Sequence, residues 1–268
     1  VHFNPENGIF ADIDPLSGID VNLSTSQGFE QMGETIDTQS VSGLYRTIKG
    51  VVFRDYKKWA NKLLTELPVF TSGKLYFEES YYCHITVSKT PSIAKDKNGK
   101  ISFVFQVFCS TPFWYYSQSV EQSFGGYIPA FRFPVNYSNP HRFGIKTSID
   151  FVNCYNEGTV VIPFSVQFTS TATVSNFGLV NIYTGQQLKI NTTLGYGEKV
   201  VVEFRNNILS VEKIVGSVVT DIFSSLDENS NLFRLNVGDN LLSVIADAGR
   251  DELVTNISFE TAVMGVLP

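Results

Sequence analysis

Histidine is nearly missing from this chain: His2, His84 and His141 are three among 268 residues, far apart and without metal-ligand spacing. The side chain most often used as general base or metal ligand is therefore in short supply. No G-x-S-x-G elbow, Walker A loop, H-E-x-x-H pair or dinucleotide fingerprint occurs. Glycoside hydrolysis needs only two carboxylates and no motif, but neither Glu78-Glu79 nor the acids of the second half nominate a pair. These absences predict no enzyme, no catalytic residue and no cofactor. Asp12, Asp14 and Asp20 miss the EF-hand spacing, so no metal is expected. The three cysteines, Cys83, Cys109 and Cys154, are odd in number and widely spaced. That excludes a disulfide framework or zinc site and predicts buried free thiols.

Charge is scarce as well. Asp, Glu, Lys and Arg make up 17% of residues, which fits a surface partly covered by partners. The net charge is −6; residues 1–118 hold 11 basic and 12 acidic side chains, and residues 119–268 hold 9 and 14. An acidic second half argues against sequence-specific nucleic-acid binding, which needs basic neutralisation of phosphates. No apolar run approaches the ~20 residues of a membrane span.

Aromatic strand formers are abundant, with 22 Phe and 12 Tyr. Together with the length they predict two mainly β domains, 1–118 and 119–268, joined in the polar stretch SQSVEQSFGG. In the first, Ile19, Val21 and Leu23 alternate with Asp20 and Asn22 as a half-buried strand. Gln27–Gly43, QGFEQMGETIDTQSVSG, is polar and glycine-spaced, with two large apolar side chains, Phe29 and Met32. It reads either as a long loop or as an arm that orders on a neighbouring subunit through those two anchors. Tyr56–Leu67 is a helix with Trp59, Leu63 and Leu67 in a stripe that Leu64 widens, Asp55 as its cap and Pro68 as its stop. In YYCHITVS, Cys83 and His84 point to opposite faces, so they cannot pair. Asn98-Gly99 closes a lysine-rich hairpin. Ile101–Cys109 reads as a strand buried on nearly both sides.

In the second domain, YIPAFRFP suits an edge strand, and His141–Phe143 and Thr147–Asn153 open a sheet. Val160–Thr169 is a strand interrupted by Pro163, and Val180–Tyr183 and Leu188–Thr192 form a hairpin. Val200, Val202 and Phe204 share one face of a strand that turns at Asn206-Asn207 and returns over Ile208–Lys213. Val237-Gly238-Asp239-Asn240 then launches Leu241–Ala246, and Val254–Val263 closes the domain. Many short strands separated by turn residues imply a β-sandwich or jelly roll.

Several of these stretches occur in the order seen in one family. DYKKWANKLLTEL, KLYFEESYYCHITV and SFVFQVFCSTPFWY come first, then GGYIPAFRFPV and NEGTVVIPFSVQFTS. NIYTGQQLKINTTLGYGEKVVVEFRNN and LFRLNVGDNLLSVIAD follow. Over nearly its whole length the chain thus resembles the distal tail proteins (Dit) of siphophages infecting Gram-positive bacteria. The resemblance implies an N-terminal β-sandwich or belt domain with one α-helix, closing a homo-hexameric ring, and a C-terminal galectin-like β-sandwich facing outward. It implies a hub of the tail tip between the tail tube protein and the tail-associated lysin or tail fibre protein, in some members holding receptor-binding proteins. Its place would be the virion, assembled in the bacterial host cytoplasm. A carbohydrate-binding adsorption module is the alternative. Against it, galectins stack sugar on tryptophan, whereas Trp59 and Trp114 both precede the second domain.

Overall fold

A computed structural model describes residues 1–95, 97, 100–125, 127–129, 144–146, 151–205 and 208–267, with the side chains of residues 127–129, 144–146 and 205 left undescribed. The expected turns at Asn98-Gly99 and Asn206-Asn207, most of YIPAFRFP, and His141–Phe143 lie outside them. The fold is mainly β, with one α-helix, and divides into two compact units, Val1–Ser117 with Val263–Pro268, and Gln118–Ala262. The closing residues had been expected with the second domain. Instead Val263 and Val266 pack against Trp114, Cys83 and Cys109 of the first unit, because an apolar tail is drawn to the nearest incomplete core.

The first unit runs β1 (Ile9–Asp14), β2 (Val21–Ser26), β3 (Thr35–Val41), β4 (Leu44–Val52), α1 (Tyr56–Glu66), β5 (Ser72–Phe77), β6 (Tyr81–Lys95), β7 (Ile101–Cys109) and β8 (Trp114–Tyr116). Seven strands make one antiparallel sheet in the order β1-β4-β7-β6-β8, with β5 also on β6 and the closing strand Ala262–Val263 beyond β8. β6 is 15 residues long and makes this possible: its first half pairs with β5 and β8, its second half with β7.

Helix α1 lays Trp59 and Leu63 into the core with Ile9, Ile48, Phe103, Phe105 and Val107, and Trp59 Nε1 donates to Asn7 O at 3.1 Å. Burying a side chain the size of Leu63 contributes about 1.5–3 kcal/mol. Two details differ from expectation. Leu64 is exposed, since the stripe is only as wide as the sheet edge it meets. Asp55 makes no side-chain cap; it sits in the left-handed region at φ 51°, with its carbonyl accepting from Trp59 N.

The second unit holds β9 (Val120–Phe124), β10 (Tyr127–Pro129), β11 (Gly144–Lys146), β12 (Phe151–Asn153), β13 (Ser165–Ser170), β14 (Val174–Asn181), β15 (Gln187–Leu194), β16 (Lys199–Arg205), β17 (Ile208–Val215), β18 (Val218–Asp221), β19 (Leu241–Ala248) and β20 (Leu253–Phe259). β21 (Ala262–Val263) leads out of it. A six-stranded sheet, β18-β17-β16-β13-β20-β9, faces a four-stranded one, β12-β19-β14-β15. Phe168 of β13 meets Phe177 of β14 edge to face at 5.1 Å, so the core lies between the sheets. Val200 and Val202 point inward as their alternation predicts.

The strand expected at Val160–Thr169 begins only at Ser165. Before it, Pro163 supplies no donor and Ile162 makes a single bridge to Leu235. Two buried asparagines fix the loops around that bridge. Asn156 Nδ2 donates to Val160 O at 2.9 Å, and Gly158 N donates to Asn156 Oδ1. Asn240 Nδ2 lies within donating distance of Asn236 O, Gly238 O and Cys154 O, while Asn240 Oδ1 accepts from Asn236 N. Gly158 is required by close approach: a Cβ there would stand 2.1 Å from Ala262 O.

Candidate interaction surfaces

Gln27–Gly43 is not a loop throughout: its second half is the strand β3. β2 and β3 pair from Val21–Val41 to Ser26–Thr35 as a two-stranded ribbon, and every residue of both strands is exposed. Of the half-buried strand expected here, Ile19 is half-buried but Val21 and Leu23 are exposed, because among the described residues β2 has β3 as its one ladder partner. The tip is tied by its glutamines: Gly28 N donates to Gln31 Oε1 at 2.8 Å, and Gln31 Nε2 donates to Thr35 Oγ1 at 2.8 Å. Glu30 and Gly33 take positive φ there. Phe29 and Met32 stand at this tip, 97% and 100% exposed, with Leu23 and Ile36 exposed along the stem. A ribbon of two strands with no core beneath it is at best marginally stable in water. Residues 21–41 also carry Glu30, Glu34 and Asp37 and no basic side chain.

The large sheet of the same unit has a second open surface. β7 alternates strictly: Ile101, Phe103, Phe105, Val107 and Cys109 are buried, whereas Ser102 and Val104 are exposed. The strand expected to be covered on nearly both sides is covered on one and, on the other, half-covered at Gln106 and Phe108 and open at Ser102 and Val104. Phe10, Val51 and Val104 line an open groove of about 640 Å³ on the uncovered face. Beneath it, Gly50 is required on the core side of β4, where a Cβ would meet Phe10 O and the Phe103 ring at 2.3 Å. Lys49 lines the groove, and Lys89, Lys95, Lys97 and Lys100 follow along the neighbouring β6–β7 stretch. Acidic ribbon and basic-edged apolar face are thus two different surfaces of one unit.

In the second unit the outer face of the six-stranded sheet forms a polar cleft of about 610 Å³. Register brings Gln167 opposite both Val201 and Asn256, and Asn256 opposite Ser123. One residue pair along, Glu121, Ser258, Ser165 and Glu203 continue the row. Alternating polar residues in each strand are the only sequence trace of this cleft; cross-strand register assembles it.

The perturbed carboxylates are structural: Asp247 is exposed, and Glu198 and Asp227 are half-buried. Lys213 Nζ, 2.8 Å from Glu198, holds that carboxyl below its ordinary range, helped by Gly195 N. Asp247 is lowered by Lys189 and then Asn176. Asp227 is lowered by Asn191 and then by Asn229 N. Among the described residues no group of three or more His, Cys, Asp or Glu could hold a metal ion, and no helix is long and apolar enough to cross a membrane.

Residues 157–262 match the family described as siphovirus-type tail component, C-terminal domain (SPP1_Dit). No curated protein matches the chain. Among solved structures it is similar to the SPP1 Dit (gp 19.1) protein, described as a paradigm of hub adsorption apparatus in Gram-positive infecting phages. The TM-score is 0.67 at 12% identity, over 96% of this chain and 94% of that one. It is also similar to a chain of the phage P2 baseplate in its activated conformation with Ca, with a TM-score of 0.51 at 13% identity over 97% and 92% of the two chains. At such identities these two likenesses establish the fold.

Proposed function

We propose that this chain, whose residues 157–262 match the siphovirus-type tail component C-terminal domain, is a Dit-family protein and the hub of a phage tail tip. In this reading the first unit closes a homo-hexameric ring between the tail tube protein and the tail-associated lysin or tail fibre protein. The second unit faces outward and carries receptor-binding proteins or other adsorption parts. The protein works as a virion scaffold, not a catalyst, and is assembled in the host cytoplasm.

The observation that carries the ring is the free-standing β2–β3 ribbon with Phe29 and Met32 bare at its tip. A marginal ribbon gains order only when another surface covers it. An acidic ribbon and a basic-edged apolar face on one chain make a head-to-tail contact between copies. Head-to-tail contacts propagate into rings when the rotation closes.

Light scattering and negative-stain imaging of the full chain test this. Closed rings of six are expected, and F29S/M32S should shift the population toward monomer with thermal unfolding unchanged. A wild-type protein that stays monomeric at high concentration, with and without its tail partners, would refute the ring.

The polar cleft beside Glu203 and Asn256 supports a second reading, glycan binding by the outer unit. Calorimetric titration with host cell-wall polysaccharide should then give saturable heat that E203Q/N256A abolishes. An absence of heat leaves the protein-docking role alone.

A further inference from the structure

Arg46, on β4, is completely buried, which is rare for a guanidinium. Its Nη1 donates to Pro15 O, its Nη2 donates to Pro112 O at 2.8 Å, and its Cζ lies 4.4 Å from the centroid of the Trp114 ring. Its Nε has no hydrogen-bond partner, and among the described residues no carboxylate pairs with it. Guanidinium does not deprotonate in proteins, and taking a charge out of water costs several kcal/mol unless an opposite charge meets it.

Two thiols lie in the cluster that Trp114 joins to Arg46, and the nearest carboxylate along the chain, exposed Asp14 beside Pro15 and opposite Thr47, forms no ion pair with the guanidinium. Cys83 of β6 and Cys109 of β7 are both fully buried, with their Sγ atoms 3.8 Å apart. The neighbouring elements contribute apolar side chains to it. β1 and the following loop give Ile13 and Leu16, β5 gives Leu75 and Phe77, and the closing segment gives Val263 and Val266. Tyr81, half-buried on β6, is a further titratable side chain packed there.

We propose that Cys83, Cys109 and Arg46 form a buried ionic centre, in which the two sulfurs share one proton and the remaining thiolate charge balances the guanidinium. The proton balance is simple: on folding, the pair releases one proton to solvent and retains the other between its sulfurs. The hydrogen bond from Cys83 and then the Arg46 charge, outweighing burial, pull Cys109 down to about 7. Cys83 is held far above the ordinary thiol range, chiefly by its hydrogen bond to Cys109 and by burial. Geometry and charge therefore agree on a single ionisation.

The consequence is a proton-sensitive device in the unit proposed to close the ring, although the centre itself stands without that proposal. Below neutral pH the pair regains its proton, Arg46 is left as an uncompensated buried charge, and the β4–β7–β6 end of the sheet loosens.

Raman spectroscopy of the full-length protein tests the centre without any substitution. Of the three cysteines, two S–H stretches should remain at about pH 8 and all three at about pH 5. Three S–H stretches at both values overturn the proposal, as does loss of two together with an S–S band. Ultraviolet thiolate absorbance should show one step near pH 7. That step should persist in Cys154→Ser, disappear in Cys109→Ala, and move above the ordinary thiol value of about 8.5 in Arg46→Met. If Arg46→Met does not fold, Cys83→Ala decides: without its hydrogen-bonding partner Cys109 must titrate higher, and an unmoved step refutes the shared proton.

Discussion

At the scale of single residues, a few side chains fix whole stretches of backbone. Asn240 ties Asn236, Gly238 and Cys154 together through one buried amide. Asn240→Ala leaves those groups partly unsatisfied, so denaturant unfolding should show a loss of about 1–3 kcal/mol. The same scale sets the pH response. Cys109 is depressed on folding, so its contribution is complete above the ordinary thiol range and is lost as pH falls through about 7. Cys83 is raised, so above about 9 the unfolded chain gains by ionising it, and stability declines again. Calorimetry should therefore give a lower first-unit midpoint at about pH 6 than at about pH 8, and Cys109→Ala should flatten the difference. The lowered carboxylates Glu198, Asp227 and Asp247 act elsewhere, with stability lost only as pH falls below about 4.

At the scale of elements, the contrast is between a helix with a core and a ribbon without one. Leu63 sits fully buried between α1 and the sheet, so Leu63→Ala should cost about 2–5 kcal/mol in urea unfolding. Deleting Glu30–Ser40 removes exposed ribbon and should barely change the melting temperature, while ring formation measured by light scattering collapses. Placing a carboxylate on the opposing surface, as Val104→Glu, should weaken assembly equally and leave the monomer folded, because Val104 points away from the core. If Val104→Glu assembles normally, the groove is not the ribbon's seat.

At the scale of the whole molecule, the chain returns to its first unit after completing the second. Removing residues 263–268 takes Val263 and Val266 from beside Trp114, so the first unit should melt several degrees earlier. A cut that leaves its melting unchanged would mean the tail only decorates the surface.

Much of the architecture was legible locally. The α1 stripe, the inward Val200 and Val202, the Val237–Asn240 turn and the burial of all three thiols follow from period, turn chemistry and hydrophobicity. Readings of coverage fared worse: Leu23 and Leu64 proved exposed, and β7 partly open on one face, because apolar character does not say whether a partner surface lies within the same chain. Alternation places Ser165, Gln167 and Asn256 outward, but only register gathers them into a cleft.

By itself the sequence determined a mainly β chain with one helix, since alternation and turn residues act over a few neighbours. Tertiary structure alone decided that Val263 belongs with the first unit and that β2 and β3 stand free. It also brought Arg46, Cys83 and Cys109 together across three strands. Such encounters depend on strand order and register, and no local pattern encodes them.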